Sequence, residues 1–291
     1  MSVKFVAEVA SNHNRDLGRC LRFVETAAAV GCDAVKFQLF RVDELFVPEV
    51  LRRSGRHLRR REWELPVAFL PELAQAAHQR GLEFGCTPFY LEAVTELEPF
   101  VDFYKVASYE LLWHELLAAC AHTGKPVVLS TGMATLPEVR DALAVLAEPA
   151  PREITLLHAI SLYPTPPERC NLSALETLRR LARTVEAGVP VHVGWSDHSV
   201  RPGVLARAVH RWGASLIEFH LDLDGEGAEF EDGHCWLPHQ IAEAIEQIRL
   251  GLASDGSGEK APVPEEKEER AWRADPADGL RPLRTTRQGW T

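Results

Sequence analysis

Short apolar segments alternate with longer helical patterns along almost the whole chain, and this alternation limits the possible folds more than any other feature of the sequence. Residues 3–9, 34–40, 82–84, 101–107, 126–130, 154–160, 190–195 and 216–221 read as eight strands. Helical patterns lie between them. Leu21, Val24 and Ala28 recur at helical spacing, and residues 70–80, 136–146, 172–186 and 204–212 carry further helices, with 238–252 after the last strand. Gly31, Gly81, Gly124, Gly188 and Gly213 each stand just ahead of a strand, where a glycine closes the preceding helix. Strands that always alternate with helices pair in parallel through right-handed crossovers. Eight such units in 291 residues predict a closed (β/α)8 barrel. An open doubly wound sheet would want a glycine-rich phosphate loop after the first strand, and Ala10-Ser11-Asn12-His13-Asn14 is not one.

Two stretches break the pattern. Residues 42–65 form a long insertion after the second strand, with Arg52, Arg53, Arg56, Arg59, Arg60 and Arg61 clustered in it. They read either as a solvated helix face or as a flap that meets an anionic ligand. From Ser254 onward the chain is rich in Gly, Pro and charge, which predicts a weakly ordered extension rather than a second domain. The expected organisation is a barrel over 1–253 and an extension over 254–291.

Composition narrows the class of partner. Lys and Arg total 32 against 42 Asp and Glu, a net charge of −10 that repels phosphate polyanions and anionic bilayers. No apolar run approaches the ~18 residues that span a membrane. The opening residues Met1 to Val6 lack the charged-then-apolar layout of a secretory signal. Cys20, Cys32, Cys86, Cys120, Cys170 and Cys235 are scattered without metal-type spacing and read as reduced, buried thiols. These features predict a cytoplasmic protein acting on small molecules, with neither nucleic acid nor membrane as partner.

A barrel carries its chemistry at the carboxyl ends of its strands, so polar residues that interrupt apolar strands there are the informative ones. The set comprises Glu8, Lys36 and Gln38, Thr87, Lys105 and Ser108, Ser130 and Thr131, His158 and Tyr163, Asn171, Ser196-Asp197-His198, and Glu218 with His220. Two lysines in separate apolar strands imply something anionic between them, because an unpaired buried ammonium is costly. Glu8 and Glu218 can supply part of that charge, and a phosphate or carboxylate ligand can supply it as well. His198 and His220 close consecutive strands at equivalent depth, which suits a borderline divalent ion with positions left open. Asp197 and Glu218 are placed to orient the two rings.

The same blocks carry a resemblance. Ala7-Glu8-Val9-Ala10-Ser11-Asn12-His13-Asn14, Val35-Lys36-Phe37-Gln38, Thr87-Pro88-Phe89, Lys105-Val106-Ala107-Ser108 and Leu129-Ser130-Thr131-Gly132-Met133 resemble the sialic acid synthases. So do His158 through Tyr163-Pro164-Thr165-Pro166 to Asn171, Ser196-Asp197-His198 and Glu218-Phe219-His220. The resemblance implies a (β/α)8 barrel that condenses phosphoenolpyruvate with the open-chain aldehyde of a sugar, using manganese or magnesium. It implies metal ligands at His198 and His220, and phosphoenolpyruvate contacts at Lys36, Lys105, Ser108, Ser130, Asn171 and Ser196, with Gln38 and Thr87 nearby. It assigns Glu8, Tyr163, Asp197 and Glu218 to the aldehyde, the water on the metal or the reacting carbons.

The pattern departs from the family at Arg15, where a glycine is usual, and at Phe219, where a lysine is usual. The usual Asp-His pair after strand eight falls at Glu231-Asp232, with His234 two residues on. The resemblance implies an antifreeze-like domain in relatives; residues 266–270 resemble the start of its linker, and no folded domain of that kind is expected within residues 254–291. A homodimer would therefore use another surface. Two alternatives remain at this level: a metal-dependent sugar isomerase or epimerase, and a non-catalytic binding barrel.

Overall fold

The computed structural model describes residues 3–148, 151–184 and 188–290. Eight strands pair in parallel in chain order: β1 (Lys4–Glu8), β2 (Ala34–Leu39), β3 (Glu83–Pro88), β4 (Phe103–Val106), β5 (Val127–Ser130), β6 (Ile154–Ala159), β7 (Val191–Asp197) and β8 (Leu216–Leu221). The pairing of β1 with β8 closes the cylinder. The predicted (β/α)8 barrel is therefore the fold. A ninth strand that the sequence pattern did not reveal, β9 (Cys235–Trp236), adds to the outer end of β8 with His220 opposite Cys235.

The barrel helices are α1 (Leu17–Ala29), α5 (Leu70–Gln79), α6 (Leu91–Leu97), α7 (His114–His122), α8 (Leu136–Leu146), α9 (Ala174–Ala182), α10 (Pro202–His210) and α11 (Pro238–Ser254). Between β2 and α5, the insertion holds three short helices, α2 (Val42–Leu45), α3 (Pro48–Arg53) and α4 (Gly55–Arg59). Local chemistry sets several helix starts. The Asp16 carboxylate accepts from the Arg19 amide ahead of α1, and Thr135 with Glu138 forms a capping box ahead of α8. Of the helix expected over 172–186, α9 covers the middle, and Val185 and Glu186 lie outside the described residues, as do Met1 and Ser2.

Period-two alternation sorts each strand into two faces. One face packs on the helices and forms the main core, with Phe5, Phe37, Phe84, Tyr104, Leu129, Trp195, Ile217 and Phe219. Phe219, one of the positions that depart from the resembled pattern, is fully buried on this helix-facing side. The other face points into the cylinder. There Val6, Ala34, Phe103, Val128, Leu157 and Leu216 make a small apolar plug. Glycines complete it: a Cβ on Gly85 would lie 2.2 Å from the Phe103 ring, and one on Gly194 would lie 2.4 Å from the Leu216 carbonyl oxygen. The plug fills the amino-terminal part of the barrel and leaves the carboxyl-end interior to polar side chains.

The arginines of the insertion are used locally in part. Arg61 pairs with Asp43 at 2.5 Å, Arg52 with Glu49 at 2.8 Å, and Arg60 lies over the rings of Phe46 and Trp63. All six cysteines are buried and free.

Residues 253–290 form a separate compact unit. It holds two short helices, α12 (Lys267–Ala271) and α13 (Arg284–Arg287). Asp275 accepts from the Arg284 amide at 2.8 Å, Asp278 pairs with Arg287 at 2.9 Å, and the Trp272 and Trp290 rings lie 6.0 Å apart.

Candidate active site at the carboxyl mouth

Two residues beyond each plug position, the same inward face carries Glu8, Lys36, Thr87, Lys105, Ser130, Ser196 and Glu218. All seven are buried. The Lys36 ammonium abuts the Glu8 carboxylate, donates to the Thr87 hydroxyl at 3.0 Å and lies 3.7 Å from Glu218 Oε2. Lys105 approaches the other oxygen of Glu218, also at 3.7 Å. Glu218 thus sits between the two lysines and accepts from Ser196 at 2.9 Å. Burial alone would raise its carboxyl, but Lys105, Lys36 and the Ser196 hydroxyl outweigh burial and hold it down to about 2. Burial also lowers both ammonium groups, Lys36 to about 8, against the opposing pull of Glu218.

One further step along the strands, the inward positions are Gln38, His198 and His220. Gln38 is half-buried, with Thr87 as its register partner on β3. The His198 and His220 ring centroids are 5.4 Å apart. His198 Nδ1 meets the Ile160 carbonyl at 2.7 Å, which fixes the ring and leaves Nε2 as its remaining ligand atom. Burial, with His220 and His234 adding to it, pushes His198 down to about 3, so the ring is neutral at ordinary pH. Tyr163 lies over His198 at 4.2 Å and is itself 42% exposed, forming part of the rim.

Ser108 follows β4 and accepts from the Gly132 amide at 2.9 Å. A Cβ at Gly132 would lie 2.5 Å from the Ser161 hydroxyl and 2.7 Å from that of Ser108, so only a glycine allows these loops to meet. The buried Ser130 hydroxyl has no hydrogen-bond partner. Asn171 is exposed in a left-handed turn at φ 45°, and its side-chain oxygen accepts from Ser173.

Asp197 stands apart from the others. It has the opposite parity, and its oxygens accept from the indoles of Trp195 and Trp236 at 3.0 Å, the Ser199 hydroxyl at 2.6 Å and the Val200 amide at 3.1 Å. That pattern ties strand ends together. His158 has the same parity and is spent on the Cys170 carbonyl and the Trp195 face.

Three residues absent from the expected site join the rings. His234 lies 4.6 Å from His220 and 6.2 Å from His198, centroid to centroid. Glu229 Oε2 stands 3.2 Å from His220 Nδ1 and 3.5 Å from His234 Nε2, so Glu229 takes the orienting place expected of Asp197. Glu231 and Asp232 are exposed in a short turn. Cys235 is the third, opposite His220 on β9. Buried Nδ1 atoms on His220 and His234 lack aligned hydrogen-bond partners, which an ion would supply. Imidazoles beside a carboxylate are a donor set that fits a divalent metal.

A closed parallel barrel with a lysine–carboxylate layer beneath a histidine cluster at its carboxyl mouth defines the class: (β/α)8 barrels that carry their polar constellation at the strand ends. Comparison then gives the family. The family model described as NeuB family matches residues 23–260, and the chain belongs to that family of sialic-acid-type synthases. It is 36% identical over 265 residues to an uncharacterised protein of Methanocaldococcus jannaschii, covering 90% of this chain and 75% of that one. It is 31% identical over 276 residues to the N,N'-diacetyllegionaminic acid synthase of Campylobacter jejuni, covering 90% and 80%. Among solved structures, the sialic acid synthetase of Leptospira borgpetersenii, in complex with citrate, matches with a TM-score of 0.79 at 28% identity, covering 92% of this chain and 90% of that one.

Proposed function

We propose that this protein condenses phosphoenolpyruvate with the open-chain aldehyde of a sugar, giving a 2-keto-3-deoxy sugar acid of the sialic acid type and phosphate. The observation that carries the reading is the meeting of two buried ammonium groups with a histidine cluster one inward step above them, in one barrel mouth. Lys36 and Lys105 would grip the phosphate and carboxylate of phosphoenolpyruvate, with Ser108, Ser130, Asn171 and Ser196 donating to the remaining oxygens and Gln38 and Thr87 beside them. The partnerless Ser130 hydroxyl supports this, since a ligand oxygen would satisfy it.

His198 and His220 would hold a divalent ion, manganese or magnesium in the family, and the bound ion supplies Lewis-acid polarisation of the aldehyde. The chain's own residues do the rest. Glu8 and Glu218 would face the carbon that becomes cationic as the new bond forms, and their negative charge would stabilise it and help orient the incoming water. Tyr163 covers the rings from the solvent side, and Asp197 holds the ends of β7 and β9 in place. Fixing the reactants between lysines and rings supplies much of the rate. A metal-dependent isomerase would need Glu8 and Glu218 free as ligands, and both are engaged by lysines.

The test is phosphate release by the full chain with phosphoenolpyruvate, manganese and a panel of sugar aldehydes. Release should require both substrates, and His198→Ala should lower it at least ~100-fold, the scale of losing one electrostatic stabiliser. Turnover unchanged in that variant, or no release with any aldehyde, would sink the reading.

A further inference from the structure

The histidine cluster extends past the pair just described. His220, His234 and Cys235 each bring one donor atom to within 4.8 Å of the others. Donors that share one tetrahedral ion at ~2.0–2.3 Å stand roughly 3.3–3.6 Å apart, so small side-chain movements close this set on an ion. The backbone aims the sulfur. Cys235 is the register partner of His220, while its neighbour Trp236 reaches the opposite face and binds Asp197 at 3.0 Å. Asn12 Nδ2 approaches Sγ at 3.4 Å, and the Glu229 carbonyl lies 3.7 Å away, which holds the thiol beside the rings. The His234 Nδ1 atom is buried without a hydrogen-bond partner, and His220 Nδ1 has the Glu229 carboxylate 3.2 Å away without an aligned hydrogen bond.

We propose that His220, His234 and Cys235 form a second ion position, for a thiophilic divalent ion such as Zn2+ or Co2+, which shares His220 with the His198 pair. Imidazole and thiolate favour these ions over magnesium or manganese, which prefer oxygen. On binding, the S–H bond breaks, the proton passes to the buffer and a sulfur–ion bond forms. Sharing His220 couples the two positions, because both draw on the same ring. The inference uses no property of phosphoenolpyruvate and stands or falls separately from the condensation reaction.

The test is optical, on the full chain stripped of metal by a chelator and titrated with Co2+. The wild type should develop a sulfur-to-cobalt charge-transfer band in the near ultraviolet. Cys235→Ser should abolish the band and weaken Co2+ binding by more than the ~10–100-fold that loss of an outer-shell partner costs. His198→Ala and Cys120→Ser should both keep the band. A second measurement needs no variant: Zn2+ titrated into the wild type in weak buffer at neutral pH should release one thiol proton per ion. A missing band in the wild type, a band that survives Cys235→Ser or is lost in His198→Ala, or ion binding without proton release would overturn the proposal. Phosphate release failing while the band is present would remove the condensation reading and leave this one intact.

Discussion

Lys36 shows how burial sets a working range for a single side chain. Its ammonium has lost nearly all contact with water, Lys105 adds repulsion, and Glu218 only partly makes up for both, which leaves it near 8. A lowered ammonium is fully charged below that pH and neutral above it. If Lys36 grips an anionic substrate, kcat/KM for phosphoenolpyruvate should be flat from about pH 6 to 7 and fall as pH rises through about 8, because that parameter reports the free enzyme. Lys36→Ala should lower kcat/KM throughout and remove the alkaline decline. A wild-type profile that stays level to pH 9.5 would assign the lysine a structural task instead. Glu218 responds in the opposite direction: it is held near 2, so its own charge is lost only in strong acid, whereas its pairing with Lys36 is lost as pH rises through about 8.

At the level of the strand, the alternation that revealed the fold also sorts the site. Counting in steps of two from the apolar plug, Val6 leads to Glu8, Ala34 to Lys36 and Gln38, Gly85 to Thr87, Phe103 to Lys105, Val128 to Ser130, Gly194 to Ser196 and His198, and Leu216 to Glu218 and His220. Each of these was legible in the sequence once a barrel was accepted. The same count places Asp197 on the helix side, where two indoles take it up, so the polar character of that residue misled and its parity would have corrected it. Glu229 and Cys235 were not legible, and His234 showed only as a neighbour of the displaced Asp-His pair, because all three sit on a loop and a two-residue strand too short for any period to register. The closeness of plug and strand gives a sharp contrast between two glycines. Gly194→Ala drives a Cβ against the Leu216 carbonyl and should cost about 1–3 kcal/mol. Gly203→Ala, in α10 with open space around it, should be neutral or stabilise by up to ~1 kcal/mol. Urea unfolding of both variants decides it, and equal midpoints would refute the packed-plug description.

For the whole molecule, the balance of charge matters more than any one pair. The chain carries −10 overall, yet its barrel mouth concentrates two lysines with two carboxylates out of contact with water. A buried quartet of this kind is weak evidence for stability, since removing charges from water offsets most of the attraction between them. Its value lies in binding: an anion that enters replaces lost hydration of the lysines and should tighten the native state alone. Ligand at about 100 times its dissociation constant adds about 2.7 kcal/mol to the native state. For a domain of this size that amounts to a rise of several degrees in the unfolding midpoint. We therefore expect phosphoenolpyruvate to raise the midpoint of the full chain without any sugar present, and inorganic phosphate to do so less, because it lacks the carboxylate. Lys105→Met should erase most of the rise while the variant still unfolds cooperatively. Equal shifts from sulfate, phosphate and phosphoenolpyruvate would mean that the mouth holds any anion by charge alone, and the assignment of its two lysines to a bifunctional substrate would fail.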